Sequence, residues 1–89
     1  MEVGSIVRSM AGHDKGSFYV VVAMKDGFAY IADGRRRSVL TPKRKNPLHL
    51  AGTAQKVPVS DAWTDKKIRH LLWELNFGTS QPVTEKEET

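Results

Sequence analysis

The sequence contains no cysteine, which excludes disulfide bonds and thiolate metal sites. It also lacks any apolar run approaching the roughly 18 residues that a membrane span needs, and residues 1–5 show no basic-then-apolar signal-peptide pattern. We therefore expect a cytoplasmic protein. The 89 residues suffice for one domain, and a domain of this size without cross-links depends on a compact apolar core.

Patterns typical of catalysis or metal binding are also missing. His13, His49 and His70 form no HxxxH pair, the spacing at which two histidines on a helix hold zinc. No nucleophile-elbow pattern occurs, and no glycine-rich nucleotide loop precedes a helix. We therefore expect neither an enzyme nor a bound cofactor or metal.

Positive charge is concentrated in one part of the chain, although the net charge is only +4. Residues 1–60 carry ten Lys and Arg side chains against four acidic ones, whereas residues 61–89 carry four against six. Six of the first ten lie between positions 35 and 45. Such clustering favours binding to a polyanion, because each cation placed on a phosphate releases a condensed counterion.

Short strands are predicted through the first sixty residues. The run 18–24 is rich in aromatic and β-branched residues. The dipeptide Asp26-Gly27 follows this run and is typical of a type I′ hairpin turn. Residues 28–32 are then the predicted return strand. A fourth strand is predicted at 38–40 and a closing edge strand at 54–59. Another short strand is predicted near residues 5–10, which brings the total to about five. Five short strands indicate a mainly β fold, and we interpret residues 1–60 as a small SH3-like barrel.

A helix is predicted after the barrel, within residues 61–78. Thr64 is a suitable N-cap, and Gly78 follows the last periodic position. An apolar stripe recurs at i, i+3, i+4 and i+7 in residues 64–76, and it consists of Ile68, Leu71, Leu72 and Leu75. We expect this stripe to pack across an open end of the barrel, with a protein-binding groove or dimer seam as the alternative. Residues 79–89 are polar and acidic, and a disordered tail is predicted there.

The segment Gly12-His13-Asp14-Lys15-Gly16 before an apolar strand has two interpretations. Either its glycines let backbone amides approach a phosphate closely, or it is an ordinary turn. The segment resembles the KOW motif. Together with Asp33-Gly34-Arg35, the run from Pro42 to Asn46, and His49-Leu50, it resembles the archaeal and eukaryotic large-subunit ribosomal protein fourteen family, in particular its short bacterial KOW-domain relatives.

This resemblance covers residues 3–53 and implies an SH3-like barrel that binds RNA, with ribosomal RNA as the expected partner and translation as the expected process. The sequence departs from the motif at Tyr19, where many KOW motifs have a second glycine. The ribosome is a further expected partner, and we expect a monomer in isolation.

The basic segment 35–45 is the main candidate for phosphate contacts. Arginine matches phosphate oxygens in a bidentate manner, and lysine acts as a mobile point charge. The alternatives are a solvated surface and a nuclear-localisation signal. The aromatic residues Phe18, Tyr19, Phe28 and Tyr30 are expected mainly in the core, with Tyr19 as the best candidate for stacking on a base.

A protein-interaction module of SH3 or Tudor type is the alternative function, and it requires at least three exposed aromatic rings converging on one surface. The candidate RNA-binding residues are Arg8, His13, Lys15, Gly16, Tyr19, Arg35, Arg36, Arg37, Lys43, Arg44, Lys45 and His49.

Overall fold

The computed structural model describes residues 1–57 and 63–77. Within these ranges the chain forms five strands, one 3-10 helix (Pro47–His49) and one α-helix, α1 (Asp65–Phe77). The strands are β1 (Ser5–Ser9), β2 (Phe18–Lys25), β3 (Phe28–Ala32), β4 (Lys43–Lys45) and β5 (Leu50–Lys56). The prediction of a mainly β domain of five strands with a carboxyl-terminal helix is confirmed.

The five strands form one antiparallel sheet with the order β4-β3-β2-β1-β5. The first four strands follow one another across the sheet, and the fifth returns to pair with β1 after the 3-10 helix. Register shifts interrupt the ladder between Val21 and Ala23 and between Ser5 and Val7, and such irregularities bend strands. This arrangement is consistent with a small barrel-like fold.

The hairpin predicted at Asp26 and Gly27 joins β2 to β3. Both residues have positive φ, 53° and 82°, as a type I′ turn requires.

The fourth strand lies later in the chain than predicted. Residues 38–41 form a turn, in which the Thr41 amide donates to the Ser38 carbonyl at 3.1 Å. The Ser38 hydroxyl and the Val39 amide both donate to the carboxylate of Asp65, at 2.7 Å each. Because these groups bond to the helix rather than to a neighbouring strand, the prediction of a strand at 38–40 is wrong, and β4 begins only at Lys43.

The closing strand is β5, which begins four residues before the predicted range 54–59. Val57, the residue that follows β5, donates its amide to the Gly4 carbonyl at 2.8 Å. The end of the predicted strand, the predicted helix end at Gly78 and the predicted disordered tail at 79–89 lie outside the described residues.

Each face of the sheet contributes to a buried core. One face forms the inner core, which contains Val7, Tyr19, Val21, Ala29, Ile31 and Leu50. The opposite face carries α1 and forms the outer core, which contains Ile6, Val20, Val57, Ile68 and Leu72. Successive residues of a strand point to opposite faces, so β1 and β2 contribute to both cores in alternation.

The helix packs differently from the prediction. Its side chains Ile68 and Leu72 are fully buried against the face of the sheet that carries Ile6 and Val20, rather than across an open end of the barrel. Burial of such a side chain contributes about 1.5–3 kcal/mol. Leu71 remains 44% exposed, which corrects the prediction that it belongs to the buried stripe. None of the helices in the described ranges has the length and apolar character that crossing a bilayer requires.

The predicted N-cap of the helix is present. The Thr64 hydroxyl accepts a hydrogen bond from the Lys67 amide at 3.2 Å, and the Thr64 carbonyl accepts one from the Ile68 amide at 3.0 Å. Both amides belong to the first turn, where backbone donors have no partner inside the helix.

Candidate nucleic-acid interface

The connection between β1 and β2, residues 10–17, is a closed loop. The Gly16 amide donates to the Ser9 carbonyl at 2.7 Å, and the Ser9 amide donates to the Ser17 carbonyl at 2.9 Å. Gly16 has φ of +92°, in the left-handed region that favours glycine. His13 and Lys15 lie on the outside of this loop and are exposed.

Asp14 turns inward from the same loop and is buried. Its carboxylate accepts hydrogen bonds from the Ser9 hydroxyl at 2.9 Å and the Tyr19 hydroxyl at 3.1 Å. The ammonium groups of Lys43 and Lys45 lie 3.4 and 3.3 Å from it. Burial alone raises the pKa of Asp14, but the hydrogen bonds from Ser9, Lys45 and Tyr19 and the charge of Lys45 outweigh burial and hold this pKa well below its ordinary range. Asp14 is therefore ionised and joins the loop to β2 and β4.

Two of the predicted RNA-binding residues serve this buried cluster instead. Tyr19 is 1% exposed, and burial, followed by the charge of Asp14, raises its pKa to about 12. Its ring belongs to the inner core, so the prediction that it stacks on a base is wrong. Lys45 is 9% exposed, and it also donates to the Ala11 carbonyl at 3.0 Å. Its buried ammonium group is not accessible to a phosphate, which corrects the prediction that it contacts one.

The three consecutive arginines lie on a loop that Asp33 organises. One carboxylate oxygen of Asp33 accepts the backbone amides of Arg35 and Arg37, both at 2.9 Å. The backbone amides of Asp33 and Gly34 in turn donate to the Arg37 carbonyl, both at 3.1 Å. These bonds fix the backbone of the loop, and all three arginine residues are exposed.

Arg36 connects the arginine loop to the 10–17 loop. Its guanidinium donates to the Ser17 hydroxyl at 2.8 Å and lies 3.5 Å from the second carboxylate oxygen of Asp33. The two loops are thereby held side by side, although they are about twenty residues apart in the sequence.

Two adjoining clefts open on either side of Arg36, and together they are called the basic cleft below. The first has a volume of about 280 Å³, and its lining residues are Gly16, Ser17, Asp33, Arg35, Arg36 and Asn76. The second has a volume of about 230 Å³, and its lining residues are His13, Asp14, Tyr19, Arg36, Arg37 and Lys43. The fold therefore brings together the cations of the 35–37 run, Lys43 and the two predicted loop positions His13 and Gly16.

The other predicted residues lie outside the lining of the basic cleft. Arg8 is exposed on the outer face, with its guanidinium 5.9 Å from the ring centroid of Phe18. The Arg44 guanidinium lies 4.7 Å from the ring centroid of Phe28, also on the outer face. Lys15 is exposed but lines neither cleft. His49 is exposed at the end of the 3-10 helix, and its carbonyl accepts the Met10 amide at 2.8 Å.

Helix α1 supports the arginine loop from behind. The Arg69 guanidinium donates to the Gly34 carbonyl at 3.1 Å. Asp65 accepts the Val39 amide and the Ser38 hydroxyl, and these bonds, the Val39 amide first, lower the pKa of Asp65. At the other end of the helix, the Asn76 side chain donates to the Phe18 carbonyl at 3.2 Å and accepts the Phe18 amide at 2.7 Å. The helix thus fixes both walls of the first cleft.

Four residues that line the basic cleft are absent from the candidate RNA-binding residues, and they are Asp14, Ser17, Asp33 and Asn76. Asp33 belongs to the Asp33-Gly34-Arg35 run that carries the resemblance. Its carboxylate accepts the backbone amide two residues ahead, as Asp residues in turns commonly do. Ser17 follows the loop glycine and carries no distinctive pattern. Asn76 lies on a helix 58 residues after its partner Phe18, and no local signal connects the two.

No protein-family model matches the chain, and no curated protein matches it significantly.

Proposed function

We propose that this protein is a non-enzymatic RNA-binding module that holds the phosphate backbone of a structured RNA in the basic cleft. The observation that carries the proposal is the position of Arg36, which joins two cation-lined clefts built from the two loops that the sequence singled out. Ribosomal RNA, in the cytoplasm, is the partner that the resemblance to the ribosomal protein fourteen family suggests.

The chemistry of the cleft suits phosphate. Arg35, Arg36 and Arg37 are exposed on a loop whose backbone is already fixed, so little backbone conformational freedom is lost on binding. Guanidinium groups match phosphate oxygens in pairs. The sugar–phosphate backbone of RNA is the same at every nucleotide, so we expect binding to depend on RNA shape and charge and only weakly on base sequence.

A protein-interaction module of SH3 or Tudor type is the second candidate, since Phe28 and Tyr30 lie together on the outer face. Such a module needs three converging aromatic rings to form a cage. Within residues 1–57 and 63–77 no third aromatic residue lies on the strand that carries these two, and the exposed Trp73 belongs to α1. A strand that supplies two rings favours RNA over a peptide that needs a three-ring cage.

The test is the salt dependence of binding to a labelled RNA hairpin, measured by fluorescence anisotropy. If about four to six phosphates are engaged, log affinity should fall against log salt with a slope on the order of −3 to −5. The double variant Arg36→Ala/Arg37→Ala should bind more weakly, with a slope less negative by about 2.

The matched control is Lys66→Ala/Lys67→Ala, which removes the same charge from exposed positions of α1. This control should bind nearly as the unmodified protein does. Equal losses in both double variants would mean that net charge, and not the cleft, determines affinity, and unchanged affinity in the arginine variant would contradict the proposal.

A further inference from the structure

The outer face of the sheet carries a second group of side chains that α1 leaves uncovered. Phe28 and Tyr30 are two residues apart on β3 and lie on the same side, opposite Ala29 and Ile31 of the inner core. Tyr30 pairs in register with Arg44 on β4, and Phe28 pairs with Lys25 on β2. These four residues, Lys25, Phe28, Tyr30 and Arg44, are called the aromatic face.

The geometry of the aromatic face suits a flat, electron-rich ligand. The Arg44 guanidinium lies 4.7 Å from the ring centroid of Phe28, within the range of a cation–π contact. Phe28 and Tyr30 are half-buried, so their rings are held by the sheet while part of each remains accessible. Within the described residues, no hydrogen bond engages the Tyr30 hydroxyl. Aromatic rings and guanidinium planes are the side chains on which unpaired bases stack.

The aromatic face and the basic cleft meet at β4. Lys43 lines the second cleft, and its neighbour Arg44 projects to the opposite side of the same strand, with consecutive Cα atoms about 3.8 Å apart. Among the described strands, β4 pairs only with β3, so it forms one edge of the sheet. A nucleic acid strand that leaves the cleft around this edge arrives directly at Phe28 and Tyr30.

We propose that the aromatic face stacks unpaired nucleobases of the same RNA whose phosphates occupy the basic cleft. The preferred ligand is then an RNA in which a base-paired segment adjoins a short single-stranded extension. This inference rests on the proposed function, and it assigns base contacts to Phe28, Tyr30 and Arg44 in place of the buried Tyr19.

The charge of the aromatic face argues for RNA as its occupant. Arg44 and Lys25 stand on either side of the two rings, and the only acidic residue between positions 18 and 32 is Asp26 in the hairpin turn. A methylated lysine or another cation placed on Phe28 would lie beside the Arg44 guanidinium and be repelled by it. A polyanion with exposed bases is complementary to both the charge and the rings.

The experiment compares three labelled RNA probes at one salt concentration by fluorescence anisotropy. The first is a hairpin with a short single-stranded uridine extension, the second is the same hairpin with a blunt end, and the third carries an abasic extension of equal length. The third probe retains the phosphates of the extension and lacks its bases. The unmodified protein should bind the first probe roughly tenfold more tightly than the other two.

The variants Phe28→Ala and Tyr30→Ala should each reduce this preference, and the double variant should abolish it while leaving the affinity for the blunt hairpin unchanged. Phe28→Tyr, which keeps a ring at the position, should retain the preference, and circular dichroism establishes that each variant is folded. A preference that survives in the double variant would overturn the proposal, as would an equal loss for all three probes.

The three probes also separate the two proposals. If the unmodified protein binds the blunt hairpin but shows no preference for the base-bearing extension, the aromatic-face proposal fails and the proposed function stands. If it binds none of the probes, both fail.

Discussion

The Lys45 ammonium group lies 3.3 Å from the carboxylate of Asp14, and both side chains are almost fully buried. This pair connects the loop after β1 to the edge strand β4, which are separated by 31 positions in the chain. Two ions are costly to remove from water, and the hydrogen bonds that they form with Ser9, Tyr19 and Ala11 offset part of this cost. The wall of the second cleft is therefore built around an internal ion pair.

Replacing Asp14 with Asn should destabilise the protein strongly. The substitution keeps the shape of the side chain but leaves the Lys45 charge buried without its counter-charge, and breaking a buried pair in this way costs about 3 kcal/mol or more. The free energy of unfolding in urea measures the effect. Ser9→Ala, which removes one neutral donor from the same carboxylate and leaves the ion pair in place, should cost less, about 1.5–2 kcal/mol. Equal costs for the two variants would show that the ion pair is not what holds the loop to β4.

Because of the Asp14–Lys45 ion pair, the free energy of unfolding should decrease at low pH. The folded protein depresses the pKa of Asp14 below its ordinary value of 3.8, so its contribution is fully present above about pH 4. The contribution is lost as the pH falls further towards the folded-state pKa. Urea unfolding at a series of pH values should therefore show the difference between the unmodified protein and Asp14→Asn narrowing below about pH 4. A difference that stays constant down to pH 2 would be inconsistent with a depressed pKa.

Gly34 should not tolerate alanine, because a Cβ atom there would lie 2.1 Å from the Asp65 carbonyl oxygen and 2.9 Å from the Arg69 amide nitrogen. Both contacts are to helix backbone, so the helix itself would have to move. Gly34→Ala should lower the free energy of unfolding by about 3 kcal/mol or more, from overpacking added to backbone strain.

Gly27→Ala is the matched control for Gly34→Ala. Gly27 has a similar φ of +82°, against +78° for Gly34, but a Cβ atom at Gly27 would meet nothing within 4 Å. This variant should lose only about 1 kcal/mol from backbone strain. Similar losses in thermal or urea unfolding at the two positions would mean that the close approach of Gly34 to α1 contributes nothing.

Removing the whole Asp33 carboxylate should weaken RNA binding, because its hydrogen bonds hold the arginine loop in place. Removing only its negative charge should not. Asp33→Ala takes away the acceptor for the Arg35 and Arg37 amides, so the arginine loop loses its fixed conformation and affinity for an RNA hairpin falls roughly tenfold. Asp33→Asn removes the same charge but keeps an oxygen acceptor, and it should bind nearly as the unmodified protein does. Anisotropy titrations compare the two. Tighter binding by Asp33→Ala would show that charge alone sets the affinity.

The elements with local sequence signals are the ones that the sequence predicts correctly. The Asp26-Gly27 turn, the strands on either side of it and the periodic helix with its Thr64 cap are all present. The strand β4 is not predictable in this way, because its three residues are Lys, Arg and Lys, which carry no apolar pattern. Residues 38–40, where the sequence predicts the fourth strand, instead bond to Asp65, a helix residue far along the chain.

The direction of the aromatic side chains also cannot be predicted from the sequence. In β2, Phe18, Val20 and Val22 pack in or against the outer core, whereas Tyr19 and Val21 belong to the inner core. A strand that is buried on both faces shows no alternation between apolar and polar residues, so nothing local indicates that Tyr19 faces inward. In β3 the alternate positions, occupied by Phe28 and Tyr30, remain partly accessible because α1 does not cover them.

The most direct test of the account is an NMR titration of the ¹⁵N-labelled protein with the blunt RNA hairpin. The largest amide shifts should occur at Gly16, Ser17, Lys43 and residues 35–37, which line the two clefts that share Arg36, while the exposed turn of α1 at Lys66 and Lys67 stays unchanged. Shifts confined to the helix surface, or the absence of shifts at saturating RNA, would contradict the claim that the basic cleft holds the phosphate backbone.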